Sequence, residues 1–592
     1  MPINFDIFAW NNRKTEAMDA LLIMIAAALG YIAMYRIYGK FIGKHIMKLN
    51  ADAKVPSGAM EDGIDYVPTK REVIFGHHFT SIAGTGPIVG PAIAIIWGWV
   101  PALIWVFVGS IFMGAIHDFG ALIISMRNKG KSLSEFTAKY ITPNTRFYFF
   151  IIIFLELWLV IAIFGLVISV IFDMYPSSVI PVWLQVAIAL NLGFLVNKKG
   201  KNILLWSLIS VILMYLTVVA GTYLPISISE IAGIPATGIW TIALLIYAYI
   251  ASILPVTTLL QPRDFINSYQ LLVAMGLMVL GVFFATFTAD MAVVAPEVQM
   301  HPQSAPPLWP FLFITIACGA ISGFHSLVAS GTSAKQVRNE PDALFVGYGS
   351  MITEGFLATL VIIAVAAGIG LGYEQDGQML MGTQAWTNHY ASWTAVQGLN
   401  DKVGSFVIGA ANMIETTGIP YSVAIAIMGV FVASFAATTM DSATRVQRYV
   451  VTELFDFLGV KPFKNMYFTT FVVVATAALL AFVSGADGKG ALTLWPIFGA
   501  INQTLAGLAL IVITMYLRRK SVYKWLVSGI PAIFMVIMTL WASVLNEANF
   551  INDQNWLLAV VNGMIILLVV LVVIEGTKTF FTIKPRPAME TV

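Results

Sequence analysis

Residues 75–127 read FGHHFTSIAGTGPIVGPAIAIIWGWVPALIWVFVGSIFMGAIHDFGALIISMR, and this stretch decides the fold class of the chain. It is apolar enough to cross a bilayer twice, because about 20 apolar residues span the hydrocarbon core. Glycines and prolines interrupt the first crossing at Gly84–Pro91, and the second crossing carries His117 and Asp118. Membrane helices keep such interruptions where the freed backbone groups line a cavity, as in the substrate and ion sites of secondary transporters. The stretch therefore favours a transporter.

The composition of the whole chain agrees with a membrane protein. Of the 592 residues, 58% are hydrophobic and only 11% are charged, whereas soluble domains carry about 25% charged residues. A net charge of +2 gives no reason to expect a nucleic-acid partner. The single cysteine, Cys318, excludes an intramolecular disulfide and a thiolate-rich metal site. The first apolar run is followed by lysines, so we interpret it as a retained span rather than a signal peptide.

The hydropathy pattern predicts an all-α polytopic membrane protein with about fifteen spans. Their approximate limits are 17–38, 77–97, 101–126, 146–172, 180–197, 203–223, 237–260, 268–290, 310–333, 343–371, 419–440, 465–484, 490–517, 522–545 and 555–575. Alternate loops hold the lysines and arginines, and basic loops stay on the cytoplasmic side. This pattern predicts an outside N-terminus and a cytoplasmic C-terminus.

Ten of these spans fit an inverted repeat of five plus five helices. The core would cover 77–440, as repeat one (77–223) and repeat two (237–440). The remaining parts are an N-terminal helix and cytoplasmic loop at 1–76, and C-terminal helices with a tail at 441–592. Each repeat begins with an interrupted helix, at Gly84–Pro91 and at Ser252–Pro255, and paired interruptions indicate a site near the membrane midplane. The external segment 372–418 is predicted to hold a short re-entrant or lid helix at about 405–416.

The paired interruptions predict a substrate site. A carboxylate would meet backbone N–H groups from Gly86 to Gly90, where the second half-helix begins and its dipole is positive. Hydroxyls near the first interruption and residues of the second would complete the walls. These predicted substrate-binding residues are Thr80, Ser81, Thr85, Gly86, Gly90, Pro255, Thr257 and Thr258.

Two kinds of coupling ion are compatible with the sequence. Hard cations such as sodium take oxygen ligands, and the carbonyls of Ala83 and Gly84 could join hydroxyls of the 310–333 span. Those hydroxyls belong to Ser330, Thr332 and Ser333. Protons could instead be carried by His117, Asp118 and His325, because ionisable residues inside spans are costly and usually functional. Close helix packing of small residues, and a plain buried hydrogen-bonded pair, are the alternatives.

The end of the tenth core span predicts a gate. Asp441 and Arg445 are four residues apart, so an ion pair between them would lie at the cytoplasmic end. No complete phosphate-binding loop and no HExxH pair occurs in the sequence. No nucleophile–base or metal constellation emerges either, so we predict no enzyme activity, no metal site and no cofactor beyond the coupling ion, H⁺ or Na⁺.

Three segments resemble the carbon starvation protein A (CstA) family. They are GHHFTSIAGTGPIVGPAIA followed by GWVP and GAIHDFGALIISMRNKGKSLSEF within 75–136, the span at 318–336, and DSATRVQRY at 441–449. The resemblance implies a multi-pass importer of the bacterial inner membrane, used when carbon runs short, for peptides or for pyruvate with protons. It also implies a LeuT-like core of the amino acid–polyamine–cation type, with broken first and sixth core helices and flanking helices. The partners would be a small-molecule substrate and the lipid bilayer.

A channel is one alternative, because paired half-helices can also line a pore. Two alternatives with a transporter fold remain as well. One is a sodium-coupled symporter of a small carboxylate, which the hydroxyl-rich 310–333 span favours. The other is a nutrient sensor that keeps a transporter fold, against which the lack of a predicted soluble signalling domain counts.

Overall fold

A computed structural model describes residues 7–583 of the chain, apart from Asp376 and Gln397. Within that range the protein is almost entirely helical, with one short antiparallel hairpin of β1 (Tyr373–Gln375) and β2 (Gln378–Leu380). The last part of the predicted C-terminal tail, 584–592, lies outside the described residues.

The helices, in chain order, are α1 (Ile7–Met34), α2 (Pro56–Ala59), α3 (Arg71–Ile82), α4 (Gly86–Ala94), α5 (Trp99–Gly109), α6 (Ala115–Met126), α7 (Leu133–Tyr140), α8 (Pro143–Met174), α9 (Val179–Gly193), α10 (Ile203–Tyr223), α11 (Ala236–Ile253), α12 (Leu260–Thr288), α13 (Leu308–Thr315), α14 (Gly323–Gly331), α15 (Gly349–Ala366), α16 (Thr383–His389), α17 (Leu399–Glu415), α18 (Tyr421–Phe457), α19 (Met466–Phe482), α20 (Trp495–Lys520), α21 (Leu526–Asn552) and α22 (Trp556–Thr582). Short 3₁₀ and π-helical turns extend several of them.

Twelve of the described helices are long and apolar enough to cross a membrane, or thirteen if the bent pair of α3 and α4 is one span. The protein is therefore a multi-pass membrane protein, as the hydropathy pattern predicts. The count of fifteen spans also includes α19, which has 17 residues, and the broken pair α13 and α14. That count stays a prediction.

The first predicted interruption is present, but it is shorter than expected. Helix α3 ends at Ile82, and α4 begins at Gly86 with a bend of 44° between the two axes. Pro87 is tolerated in the first turn of α4, where its missing N–H would have no helical partner. The unwound residues are thus 83–85 (the first interruption), and Gly86 to Pro91 is already helical.

The second predicted interruption, at Ser252–Pro255, is wrong. Helix α11 simply ends at Ile253, and a separate helix starts at Leu260. The interruption that faces the first one is at 316–322 (the second interruption), between α13 and α14. The sequence gives little signal for it, because the segment IACGAIS contains no proline; Gly319 supplies the turn with a φ of 89°. The repeat boundaries 77–223 and 237–440 stay a prediction. The helix break expected at the start of the second repeat no longer supports them.

Hydrogen bonds between loops define two faces of the bundle. The basic face contains the loops at 48–70, 127–132, 197–202, 254–259 and 332–343. Among its bonds, Val67 N–H donates to the Lys335 carbonyl and Asn197 Nδ2 to the Thr257 carbonyl. The opposite face contains the loops at 224–235, 289–307, 372–398, 483–488 and 553–555. There Trp393 N–H donates to the Gln303 carbonyl.

The long helices α8 and α18 form the most extensive helix pair of the interior. Both are buried along most of their length, and they form a packed wall beside the first interruption. The predicted lid helix is α17, which begins at Leu399 rather than at about residue 405 and packs on α4, α12 and α18.

Candidate functional site

A cavity of about 610 Å³ joins the opposite face to both helix interruptions. This central cavity has a volume in the range of small-molecule sites. Its deep wall includes Thr85, Gly86 and Gly90 from the first broken helix and Cys318 from the second. Its mouth is formed by Ser304, Ala305, Pro306, Trp393, Thr394 and Asp553, all from the opposite face, together with Lys402.

The two interrupted helices touch through glycines. A Cβ added at Gly90 would lie 2.7 Å from the Thr315 carbonyl oxygen, and one added at Gly86 would collide with the Cys318 side chain. A Cβ added at Gly319 would lie 3.5 Å from Pro87 Cβ. The distance at Gly319 is an ordinary contact, whereas side chains at Gly86 and Gly90 would separate the helices, so these two glycines permit the close approach of the backbones.

The start of α4 offers free donors to the cavity. The N–H groups of Ile88 and Val89 bond to the Thr85 carbonyl, but the N–H groups of Thr85 and Gly86 have no backbone acceptor among the described residues. Unpaired N–H groups at a helix start, aligned with the dipole, form a site for an anion. Of the predicted substrate residues, Thr85, Gly86 and Gly90 line this cavity.

The other predicted substrate residues lie elsewhere. Pro255, Thr257 and Thr258 are at the basic face, where the carbonyls of Thr257 and Thr258 pack close to Gly193, so their placement in the substrate wall is corrected. Thr80 and Ser81 lie on the basic side of the first interruption.

Four buried ionisable side chains form a connected group behind the second interruption, here called the buried quartet: His117, Asp118, His325 and Glu354. The Asp118 carboxylate bridges two rings, at 2.8 Å from His117 Nδ1 and 3.0 Å from His325 Nδ1. His325 Nε2 lies 3.4 Å from Glu354 Oε2. All four side chains are fully buried.

The quartet brings together the three residues predicted for proton coupling and Glu354, which stands out in the sequence as an ionisable residue inside a span but was given no role. Adjacent residues on a helix point about 100° apart, yet His117 and Asp118 meet because the imidazole folds back on the carboxylate. Glu354 is on α15, and its other oxygen accepts a 3.0 Å hydrogen bond from the Gly319 N–H of the second interruption. Only its place inside an apolar span could have signalled it.

One subset of this region has the spacing of metal ligands. Ligand atoms of Cys318, His325 and Glu354 lie within 4.8 Å of one another. Three ligands are fewer than the four of a structural zinc site, and both His325 nitrogens already face carboxylates. We therefore treat these side chains as part of the quartet and assign no metal.

The three hydroxyls predicted to bind a cation form other hydrogen bonds in the structure. Ser330 Oγ and Thr332 Oγ1 donate to the carbonyls of their own helix, and Ser333 Oγ bonds to His78 Nδ1 at 2.8 Å. None of these three hydroxyls therefore reaches the Ala83 or Gly84 carbonyls. Within the described residues, α18 supplies the hydroxyls beside the first interruption.

The contacts of α18 with α3 are close. Thr438 Oγ1 donates to the Thr80 carbonyl at 2.9 Å, and Thr439 Oγ1 to the Ser81 carbonyl at 3.1 Å. Ser442 Oγ and Ser81 Oγ are 2.8 Å apart. The end of α3 is thus held by three hydroxyls.

The predicted pair of Asp441 with Arg445 is also corrected. Asp441 pairs with Arg263 of α12, whereas Arg445 Nη1 lies 2.8 Å from Asp65 Oδ1 in the loop before α3. The Asp65 carboxylate accepts a 2.5 Å bond from the Tyr449 hydroxyl as well. Burial opposes ionisation of Asp65, but Arg445, Lys335 and Arg448 outweigh burial and lower the pKa of the carboxyl. These ion pairs tie α18 to two other segments and seal the basic face.

Two further histidines lie in the interior of the protein. His77 and His78 are both fully buried. His77 Nδ1 lies 2.6 Å from Asp264 Oδ2, and Arg263 pairs with the same carboxylate as well as with Asp441. The contact between His77 and Asp264 therefore adds to the contacts that close the basic face.

Lys402 is a cation in the wall of the central cavity that sequence reasoning missed. Its side chain is buried, and its Nζ lies 5.1 Å from the centroid of the Trp495 ring. It forms no salt bridge within the described residues. Burial lowers the pKa of its ammonium group to about 8, against the opposing effect of Asp401.

A cavity that ends at two apposed helix interruptions, with a sealed face behind it, defines a membrane transporter. Comparison with known proteins gives the family. The sequence profile described as carbon starvation protein CstA matches residues 19–542, and the chain belongs to this family.

Named relatives include two kinds of transporter. The chain is 32% identical to the peptide transporter CstA of Campylobacter jejuni, over 89% of this chain and 80% of that protein. It is 30% identical to the pyruvate/proton symporter BtsT of Escherichia coli, over 90% and 82% of the two chains. It is also 30% identical to the peptide transporter CstA of Bacillus subtilis, over 97% and 99%.

A solved structure shares the overall fold. A manganese transporter of Eremococcus coleocola superposes with a TM-score of 0.50 and 11% sequence identity, covering 89% of this chain and 99% of that chain. At that identity the likeness concerns the fold alone.

Proposed function

We propose that the protein is a secondary-active, proton-coupled importer of a small carboxylate-bearing nutrient, a peptide or pyruvate, used during carbon starvation. The observation that carries the proposal is the central cavity, which reaches both interruptions from one face while ion pairs close the other face. This is one end state of an alternating-access cycle. The names of the relatives supply the two substrate classes.

The substrate carboxylate binds the free N–H groups at the start of α4. Thr85 and Gly86 offer those donors, and Lys402 adds a positive charge to the wall of the cavity. No described arginine lines the cavity, so the backbone and one lysine attract the anion.

Proton coupling is assigned to the buried quartet. Glu354 bonds to the N–H of Gly319, so its protonation state is linked directly to the shape of the second interruption. Hydrogen bonds join Asp118 to His325 and to His117, and His325 Nε2 lies 3.4 Å from Glu354 Oε2. A proton bound in this chain would thus favour one arrangement of the broken helix.

We also propose a membrane placement. The charge pattern supports a cytoplasmic basic face and a cavity that opens to the outside, and the bacterial relatives support the bacterial inner membrane. The N-terminus is then outside and the C-terminus is cytoplasmic.

Uptake into proteoliposomes tests the proposal. Labelled pyruvate and labelled dialanine are each offered with a proton gradient or with a sodium gradient. Saturable accumulation of either substrate driven by protons is expected. Accumulation driven by a sodium gradient alone would make sodium, and not the proton, the coupling ion. The absence of both accumulation and counterflow would favour the nutrient sensor.

The sodium alternative has one observation in its favour. The carbonyls of Thr80 and Ser81 are surrounded by hydroxyls of Thr438, Thr439 and Ser442, and oxygen-rich sites suit hard cations. The same uptake experiment separates it from the proton-coupled symporter.

A further inference from the structure

A small pocket of about 10 Å³ lies beneath the first interruption, at the base of the central cavity. This floor pocket shares five lining residues with the central cavity: Gly86, Phe164, Cys318, Phe498 and Asn502. The two spaces are therefore adjacent parts of one site. The floor pocket has room for about one small group the size of a water molecule.

A single carboxylate faces the floor pocket. Glu156 of α8 lines it and is fully buried, and neither of its carboxylate oxygens has a hydrogen-bond partner. Buried polar groups are nearly always paired, and an unpaired buried charge is strongly unfavourable. None of the described residues that line the pocket is a lysine, an arginine or a histidine. Glu156 is thus a buried acid that no described residue pairs.

The walls of the floor pocket select the kind of partner. Three phenylalanine rings line it, those of Phe164, Phe324 and Phe498. Aromatic faces attract organic ammonium groups, whereas hard metal ions require several oxygen ligands. The remaining polar lining groups are Thr439, whose hydroxyl already donates to the Ser81 carbonyl, and Asn502, whose Oδ1 already accepts from the Phe324 N–H and the Ser322 hydroxyl. The pocket is suited to a primary ammonium.

We infer that Glu156 binds the primary ammonium group of a zwitterionic substrate, whose carboxylate is bound by the start of α4. This inference rests on the proposed function and names the substrate class within it. Short peptides with a free amino terminus carry both charges, and pyruvate carries only the carboxylate. The floor pocket therefore favours peptides over pyruvate for this chain.

Counterflow in proteoliposomes without any ion gradient tests the inference. Dialanine, N-acetyldialanine and pyruvate compete with labelled dialanine, and half-saturation is measured for each. The wild type should prefer dialanine over its N-acetyl form. The Glu156→Gln variant should raise the half-saturation of dialanine about tenfold or more, since hydrogen bonds between charged groups are among the strong ones, and should leave that of N-acetyldialanine unchanged.

Two further variants keep the test interpretable. Asp173→Asn removes an exposed carboxylate from the same helix and should change neither value. Glu156→Asp retains the charge and should keep part of the preference for dialanine. Thermal stabilisation of the purified wild type and Glu156→Gln by dialanine gives a second readout that does not require transport.

The outcomes are distinct. Equal effects of Glu156→Gln on both peptides would overturn the inference, as would unchanged counterflow with loss of gradient-driven accumulation, which would make Glu156 a protonation site. The wild type could also exchange pyruvate without inhibition by dialanine. That result would overturn the inference about Glu156 and leave the proposed transport intact. If no substrate is exchanged, the proposed transport fails, and the thermal stabilisation decides whether Glu156 binds the ammonium.

Discussion

At the scale of single residues, Asp118 is the centre of the buried quartet because both histidines bond to it. The sequence nominated His117, Asp118 and His325 from their cost inside an apolar span. It could not show that they meet, since His325 lies 207 residues from Asp118. The sequence also could not show that Lys402 is buried, because a lysine outside the predicted spans ordinarily reaches solvent.

Replacing Asp118 by Asn should uncouple transport from the proton gradient. The substitution removes the charge that links the two imidazole rings, so accumulation driven by a proton gradient should fall at least tenfold while counterflow at equal pH persists. Parallel uptake and counterflow assays on the same vesicles measure both quantities. The Asp173→Asn variant serves as the control, and a parallel loss of counterflow would contradict the role in coupling.

Substrate affinity should weaken as the pH rises through about 8. Because burial lowers the pKa of Lys402 to about 8, its charge is present below that pH and is lost above it. The half-saturation of pyruvate in counterflow should therefore increase between about pH 7 and pH 9. Asp401 and Asp553 are the neighbouring acids of this region.

Two variants isolate the contribution of Lys402. Lys402→Arg should flatten the pH profile, because a guanidinium stays charged, and Lys402→Met should raise half-saturation at every pH. Lys489→Met, at an exposed lysine near the same face, should keep the wild-type profile. An unchanged profile in Lys402→Met would remove this lysine from substrate attraction.

At the scale of helices, the first interruption could be predicted because glycines and prolines concentrate there. The second could not, because residues 316–322 read as one more apolar stretch of small residues, and nothing in them lacks an N–H. Ser252–Pro255 gave the stronger sequence signal, but a proline also ends a helix at a membrane boundary. The packing of Gly90 against Thr315 and of Gly86 against Cys318 identifies which two helices face each other.

Enlarging Gly90 to Ala should therefore damage both stability and transport. The new Cβ would lie 2.7 Å from the Thr315 carbonyl oxygen, and such overpacking costs about 1–3 kcal/mol. We expect a lower melting temperature and a strong loss of counterflow. Gly276→Ala is the matched control, since a Cβ at that helical position meets nothing within 4 Å; equal behaviour of the two variants would contradict the close approach.

At the scale of the whole molecule, the described structure is open on one face and closed on the other. The only cysteine of the chain, Cys318, is half-buried in the wall of the central cavity. Its accessibility to a thiol reagent therefore shows which face of the protein is open. A membrane-impermeant maleimide should label it in right-side-out vesicles, and substrate should protect it. Labelling only in inverted vesicles would reverse the proposed orientation.

Loss of the Asp65 ion pair should open the closed face. The lowered pKa of Asp65 means that its pair with Arg445 persists above that pKa and is lost only as the pH falls through it, so mild acid at about pH 5 leaves it intact. Asp65→Asn removes the charge at all pH values. Labelling of Cys318 in inverted vesicles should then increase, whereas Glu61→Gln, at an exposed acid of the same loop, should leave it unchanged.

Helix α18 runs for 37 residues without a break, a length of about 55 Å. One rigid rod thus carries Thr438 and Thr439, which grip the end of α3, and also Asp441 and Arg445, which close the basic face. A tilt of the rod changes both regions at once, so the grip cannot loosen while the closure stays in place. Slippage, the futile passage of ions without cargo, would require this rod to bend, and its unbroken backbone opposes that.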